Sequence, residues 1–168
     1  MKGHMMKMEA IGTDMDIGSF WKTLGERAIG ATVVTTDSAE GPKGFLGLSA
    51  SHVCANPPTM IVSVDKKTSA LQGILDKGHF AVNFLPEGTA HLANMFGGKG
   101  EKTFDPEAWD TLSTGAPTLI SALGVFDCSV EKVVEHGDIS IIIGNVQGVR
   151  AAGEGAPLIF FRGKFLSE

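Results

Sequence analysis

The chain lacks the marks of several functional classes. Its 14 lysines and arginines are scattered rather than massed, against 19 acidic residues and a formal net charge of −5. Nothing in that pattern is a footprint for a DNA or RNA backbone, so nucleic acid is not expected as a partner. No run reaches the ~18 apolar residues of a membrane-crossing helix, and no membrane partner is expected. The opening MKGHMMKMEA has lysines but no apolar stretch behind them, so a secretion signal is not expected and the chain is read as cytoplasmic. Cysteine is scarce: Cys54 and Cys128 form no CxxC and have no histidine at ligand spacing. They are expected as reduced, mostly buried thiols, with no metal site. No GxGxxG opens a helix after a strand and there is no Walker loop, which speaks against a Rossmann or P-loop nucleotide site. Neither a nucleophilic triad nor a carboxylate pair stands out, so no catalytic residue is assigned.

What is present concentrates between Gly44 and Ser69, GFLGLSASHVCANPPTMIVSVDKKTS. Small residues leave room for a flat ligand to lie against the backbone. The hydroxyls of Ser49 and Ser51 and the amide of Asn56 can hydrogen-bond the edge of a ring system. The run Lys66-Lys67-Thr68-Ser69 stands just before a helix-like segment, a place where a phosphate can be held. A planar ring plus a phosphate describes flavin mononucleotide. The same residues also fit a plainer reading: ladder hydroxyls, a solvated lysine turn, and helix caps at Thr68 and Ser69 that need no anion.

Residues 1–15 read as a flexible arm and 16–168 as one domain. Helices are expected over Asp16–Arg27, Ser69–Lys77 and Thr89–Phe96, the second stopped by Gly78. Strands are expected at Ala31–Thr36, Thr59–Val64, His79–Leu85, Gly124–Val134, Ser140–Val149 and Leu158–Arg162. A polar, glycine-rich loop carrying Lys102, Phe104 and Trp109 follows the third helix. Strands separated by turns, with short helices between and 22 glycines for tight corners, favour a mainly β barrel over a parallel α/β sheet. Asn83 lies amid apolar neighbours at a strand centre, where its amide must be satisfied by backbone or by a ligand.

The order of these features resembles the flavin reductase family with its FMN-binding split-barrel fold, a Greek-key β-barrel. The matching pieces are ATVVTT (31–36), GFLGLSASHVCANPPTMIVSV (44–64), KKTS, FAVNFL (80–85), MFGG…KTF…W (95–109), a Gly-Asp turn (137–138) and PLIFFRGKF (157–165). The resemblance implies a homodimer that reduces FMN, or FAD, with NADH or NADPH and supplies the reduced flavin to a partner monooxygenase. It implies flavin-ring contacts at Leu48, Ser49, Ala50, Ser51, Ala55 and Asn56. Asp65, Lys66, Thr68 and Ser69 are implied for the ribityl-phosphate arm, and Lys102 and Phe104 for the phosphate or ring. Asn83 joins these as a further candidate.

Two departures from the family pattern stand out. The stretch from Ser51 to Pro57 is shorter, which draws the loop beside the ring tighter. The late turn reads Gly137-Asp138-Ile139 where many members have Gly-Asp-His, with His136 on the other side of the Gly-Asp. A flavoprotein that holds FMN tightly and reduces a dedicated substrate is the first alternative function. A non-catalytic flavin-binding module is the second.

Overall fold

The computed structural model describes residues 15–166. The arm expected over 1–15 lies, but for Met15, outside the described residues. Among those residues the chain is mainly β with three short helices, as expected: α1 (Ile17–Gly25), α2 (Ala70–Lys77) and α3 (Ala90–Gly97). Asp16 caps α1 by accepting a hydrogen bond from the Ser19 N–H at 3.0 Å. Gly78 ends α2 in the left-handed conformation, φ 69°, which a residue without Cβ adopts freely.

The strands are β1 (Ile29–Gly30), β2 (Thr32–Thr36), β3 (Lys43–Leu46), β4 (Ser51–Ala55), β5 (Pro58–Asp65), β6 (His79–Phe84), β7 (Trp109–Thr111), β8 (Pro117–Leu119), β9 (Gly124–His136), β10 (Ile139–Ala151), β11 (Ile159–Phe161) and β12 (Lys164–Leu166). Seven of them form one sheet in the order β3-β2-β6-β9-β10-β5-β4; β1-β11-β12 and β7-β8 are small satellites. Every pair in the large sheet is antiparallel.

Alternation along the central strands sends neighbouring residues into two cores. Val33, Ala81 and Val125 join a cluster that includes Phe96 of α3, whereas Val34, Phe80, Val82 and Cys128 join one reaching Val62 and Ile142. That second cluster joins β2 and β5, the strands next to the two ends of the order, as a curled sheet allows and a flat one does not. Two register shifts in the β9–β10 ladder, at Ile143/Gly144 and Val146/Gly148, sharpen the curl. At Gly144 the Phe80 ring crosses so closely that a Cβ would stand 2.6 Å from it.

The ladder itself is not closed, because β3 and β4 are its two edges. The chain crosses the gap covalently instead. Gly47 N–H bonds Thr32 O at 2.8 Å, continuing the β2–β3 pairing. Two residues later Ser49 Oγ donates to Ser63 O and accepts from Ser63 N–H, both at 3.3 Å, beginning the pairing with β5. One stretch of chain thus leaves one edge and arrives at the other.

Candidate functional site

A cavity of about 1570 Å³ opens along this crossing. One wall is apolar: Leu46 and Leu48 of the crossing segment, Phe96 of α3, and Phe104 of the loop after it. Phe96 and Phe104 meet edge-on with ring centroids 5.4 Å apart, and Trp109 on β7 closes the trio at 4.8 Å from Phe104. Gly44 and Gly47 also line the cavity, but packing is sufficient reason for their smallness. A Cβ at Gly44 would lie 2.8 Å from Phe96, and one at Gly47 only 2.5 Å from Val34.

The turn from Asp65 to Ser69 also lines the cavity. Asp65 shapes it: one carboxylate oxygen accepts from Lys67 N–H at 2.8 Å, and its carbonyl accepts from Thr68 N–H at 2.8 Å. Lys67, Thr68 and Ser69 face the cavity at the start of α2. Ser69 makes no side-chain capping bond to the helix, so its hydroxyl stays available to a ligand. The turn therefore offers an ammonium, two hydroxyls and the positive end of a helix dipole together.

Two elements complete the rim. Helix α1 contributes Phe20, Trp21 and Leu24, and none of its residues is buried. The loop after α3 contributes Lys99 and Lys102. Lys102 Nζ donates to Met95 O at 2.8 Å and to Gly98 O, so its charge sits on the carbonyl end of α3. Beyond this loop, on β7, Asp110 accepts two hydrogen bonds from Arg150, the shorter at 2.9 Å, next in sequence to the Trp109 that packs on Phe104. Burial works to raise the Asp110 pKa, but hydrogen bonds from Arg150 and Thr118 together with the Arg150 charge outweigh it and hold the carboxyl below its ordinary value.

Of the residues implied from the sequence, the cavity gathers Leu48, Ser49, Asp65, Thr68, Ser69, Lys102 and Phe104. The others stand elsewhere. Ala50 packs against the inner core cluster. Ser51 and Ala55 belong to β4, whose five residues are all exposed. Asn56 is the first of two residues in the tight turn to β5, so the shortened segment forms a hairpin, and none of its residues lines the cavity. Lys66 turns back from the cavity: its Nζ donates to Gly137 O and pairs with Glu135, each at 2.9 Å. Asn83 is 0% exposed and its amide is satisfied within the protein by Val33 O, Thr35 Oγ1 and Leu119 N–H. That answers the choice between backbone and ligand in favour of the protein.

Sequence reasoning passed over the α1 side chains and Ile139 as cavity residues; Lys67 was read only within the Lys66–Ser69 run, and the cavity lining includes it. The amphipathic spacing of α1 was legible, but nothing local says which body its apolar face turns toward. In the late turn Ile139 lines the cavity and His136 does not. The cysteines divide: Cys128 is buried, as expected, whereas Cys54 is exposed on β4, against expectation. Burial, aided by the charge of Asp127, pushes the Cys128 thiol up to about 12.

The family model for the flavin reductase like domain matches residues 24–167. This chain belongs to the flavin reductase-like family. Among curated relatives of this flavin reductase-like chain, the FMN reductase (NADH) RutF of Ancylobacter novellus is 38% identical over 139 residues, 80% of this chain and 75% of the relative. The reductase component of the flavin-dependent trigonelline monooxygenase of Acinetobacter baylyi is 30% identical over 164 residues, 97% of this chain but 52% of that protein. Among solved structures, the flavin reductase PheA2 in its native state superposes with a TM-score of 0.83 at 32% identity, covering 92% of this chain and 99% of that one. No helix among the described residues of this flavin reductase-like chain is long and apolar enough to cross a membrane.

Proposed function

We propose that this chain is an NADH-dependent flavin reductase that reduces FMN and releases it to a partner monooxygenase in the cytoplasm. The observation that carries the reading is the cavity itself, which gathers aromatic and aliphatic side chains together with a turn of hydroxyls and an ammonium in a chain of this family. The donor set fits FMN: Leu46, Leu48 and Phe104 suit a flat ring, and Lys67, Thr68 and Ser69 suit a phosphate. The volume of about 1570 Å³ exceeds the ~300–1,000 Å³ of a single-ligand pocket, which leaves space for a nicotinamide beside the flavin.

The nicotinamide supplies a hydride and the flavin ring takes it, so the reactivity belongs to the nucleotides. The protein orients the two against each other, and the backbone around Leu48 and Ser49 can present N–H donors to a ring carrying extra negative charge. No side-chain acid or base is needed, in keeping with the absence of an obvious triad. The test is NADH oxidation with and without added FMN, together with the visible spectrum of the purified protein. A colourless protein that consumes NADH only when FMN is present supports the reading. A yellow protein bleached by NADH without added flavin points to a tightly held cofactor and a dedicated substrate. A protein inert with NADH and NADPH under both conditions overturns the assignment.

A second copy of the chain is the proposed cover for its bare surfaces, making a homodimer. Ile17 and Trp21 of α1 are 74% and 63% exposed, and β4 is a fully exposed sheet edge. Light scattering on the purified protein should give twice the chain mass at micromolar concentration, and Trp21→Lys should shift it toward the monomer. A monomer throughout overturns the dimer and leaves the flavin site untouched.

A further inference from the structure

We propose that Glu135 and Lys66 are positioning residues for the flavin phosphate: they hold the Asp65–Ser69 turn from behind, and the cation that meets the phosphate is Lys67. The inference rests on reading this cavity as the flavin site. Lys66 is tied to the β9–β10 turn three times. Its N–H bonds Asp138 O at 2.9 Å, and its Nζ reaches both Gly137 O and Glu135 Oε2 at 2.9 Å. Glu135 is anchored in its turn by the Ser140 hydroxyl, at 3.0 and 3.2 Å, and Ser140 is only 1% exposed. Register places Asp65 directly opposite Ile139, and both line the cavity, so the β9–β10 turn that holds Lys66 adjoins the Asp65–Ser69 turn.

The division of labour follows from what each lysine touches. Lys66 lies outside the cavity with its charge neutralised by Glu135. Lys67 lines the cavity, has its backbone N–H fixed by Asp65, and makes no side-chain hydrogen bond or ion pair among the described residues. An ammonium already matched to a carboxylate has little to offer a phosphate, whereas an unmatched one beside two hydroxyls has its full charge to give. A half-exposed pair of this kind adds little to global stability. Its effect therefore falls on the placement of the turn. The hydrogen bonds from Lys66 and then Ser140 also hold the Glu135 carboxyl below its ordinary pKa, so this Glu135–Lys66 latch stays charged further into acid than a free glutamate would.

Flavin fluorescence titration with FMN and with riboflavin, which has the ring and ribityl chain but no phosphate, separates the possibilities. Glu135→Gln and Lys66→Met should each weaken FMN binding by about three- to fivefold, the scale of one partly exposed charge pair. Riboflavin affinity and melting temperature should stay at the wild-type values. If Lys66 instead swings from Glu135 to grip the phosphate, Glu135→Gln frees it and FMN binds as tightly as wild type or tighter, which sinks the proposal. Lys67→Met is the control on the underlying site. If it leaves the FMN-to-riboflavin ratio at the wild-type value, the phosphate site itself is misplaced and the latch falls with it. If it lowers the ratio while Glu135→Gln does not, the latch alone fails.

Discussion

Asn83→Leu should lower the thermal unfolding midpoint by about 10 °C and leave the affinity of the folded protein for FMN unchanged. The Asn83 amide sits at the crossing of three segments. It donates to Val33 O at 3.0 Å and Thr35 Oγ1 at 3.1 Å on β2, and accepts from Leu119 N–H at 2.8 Å on β8. Leucine has a similar volume, so the main loss is polar. The Leu119 N–H and a lone pair of Val33 O are left in a site closed to water. Orphaning a buried donor or acceptor costs about 1–3 kcal/mol, so a total of about 3 kcal/mol is expected. A chain of this length loses about 2–4 °C per kcal/mol. Thr35 keeps a partner, because its hydroxyl also donates to Pro117 O at 2.5 Å. The check pairs a circular-dichroism melt with an FMN titration at low temperature. A tenfold loss of FMN affinity with an unmoved melt would restore Asn83 to the ligand.

This residue shows where the sequence was legible and where it was not. That Asn83 needed a partner followed from its apolar neighbours. Which partner it has depends on β8, a strand of three residues with no alternation to reveal it. The long strands were visible because they bury residues on both faces or alternate cleanly, as TVVTT and PTMIVSVD do. The helices were visible from apolar spacing and from Gly78. Strand β4 was not, since SHVCA is exposed along its whole length and has no buried face to pattern it. Ala55 and Asn56 drew attention because the family places that segment against the ring. The two-residue turn at Asn56-Pro57 folds them back along β5 instead. Lys66 and Lys67 are chemically alike in sequence, and only Glu135, about 70 residues away along the chain, separates their roles.

The aromatic wall gives the other large effect. Phe96→Ala should cost about 3–5 kcal/mol of stability, since its ring is 2% exposed and large buried aromatics lose both transfer energy and packing when truncated. Phe104→Ala should cost less, because Phe104 is only half-buried, and should instead show as weaker FMN binding at near-normal stability. The decisive measurement couples Phe96 to Gly44. Gly44→Ala alone should destabilise by about 2 kcal/mol, as its Cβ would stand 2.8 Å from a fully packed ring that cannot retreat. With Phe96 already alanine that clash is gone, and the new methyl group fills part of the space the ring vacated. Gly44→Ala in the Phe96→Ala background should therefore cost under about 1 kcal/mol, the residue of its 3.1 Å approach to Val34 O. Denaturant unfolding of the four proteins in the cycle measures the coupling. A coupling near zero would mean that Gly44 is small for another reason, and the free space above it would then belong to the ligand.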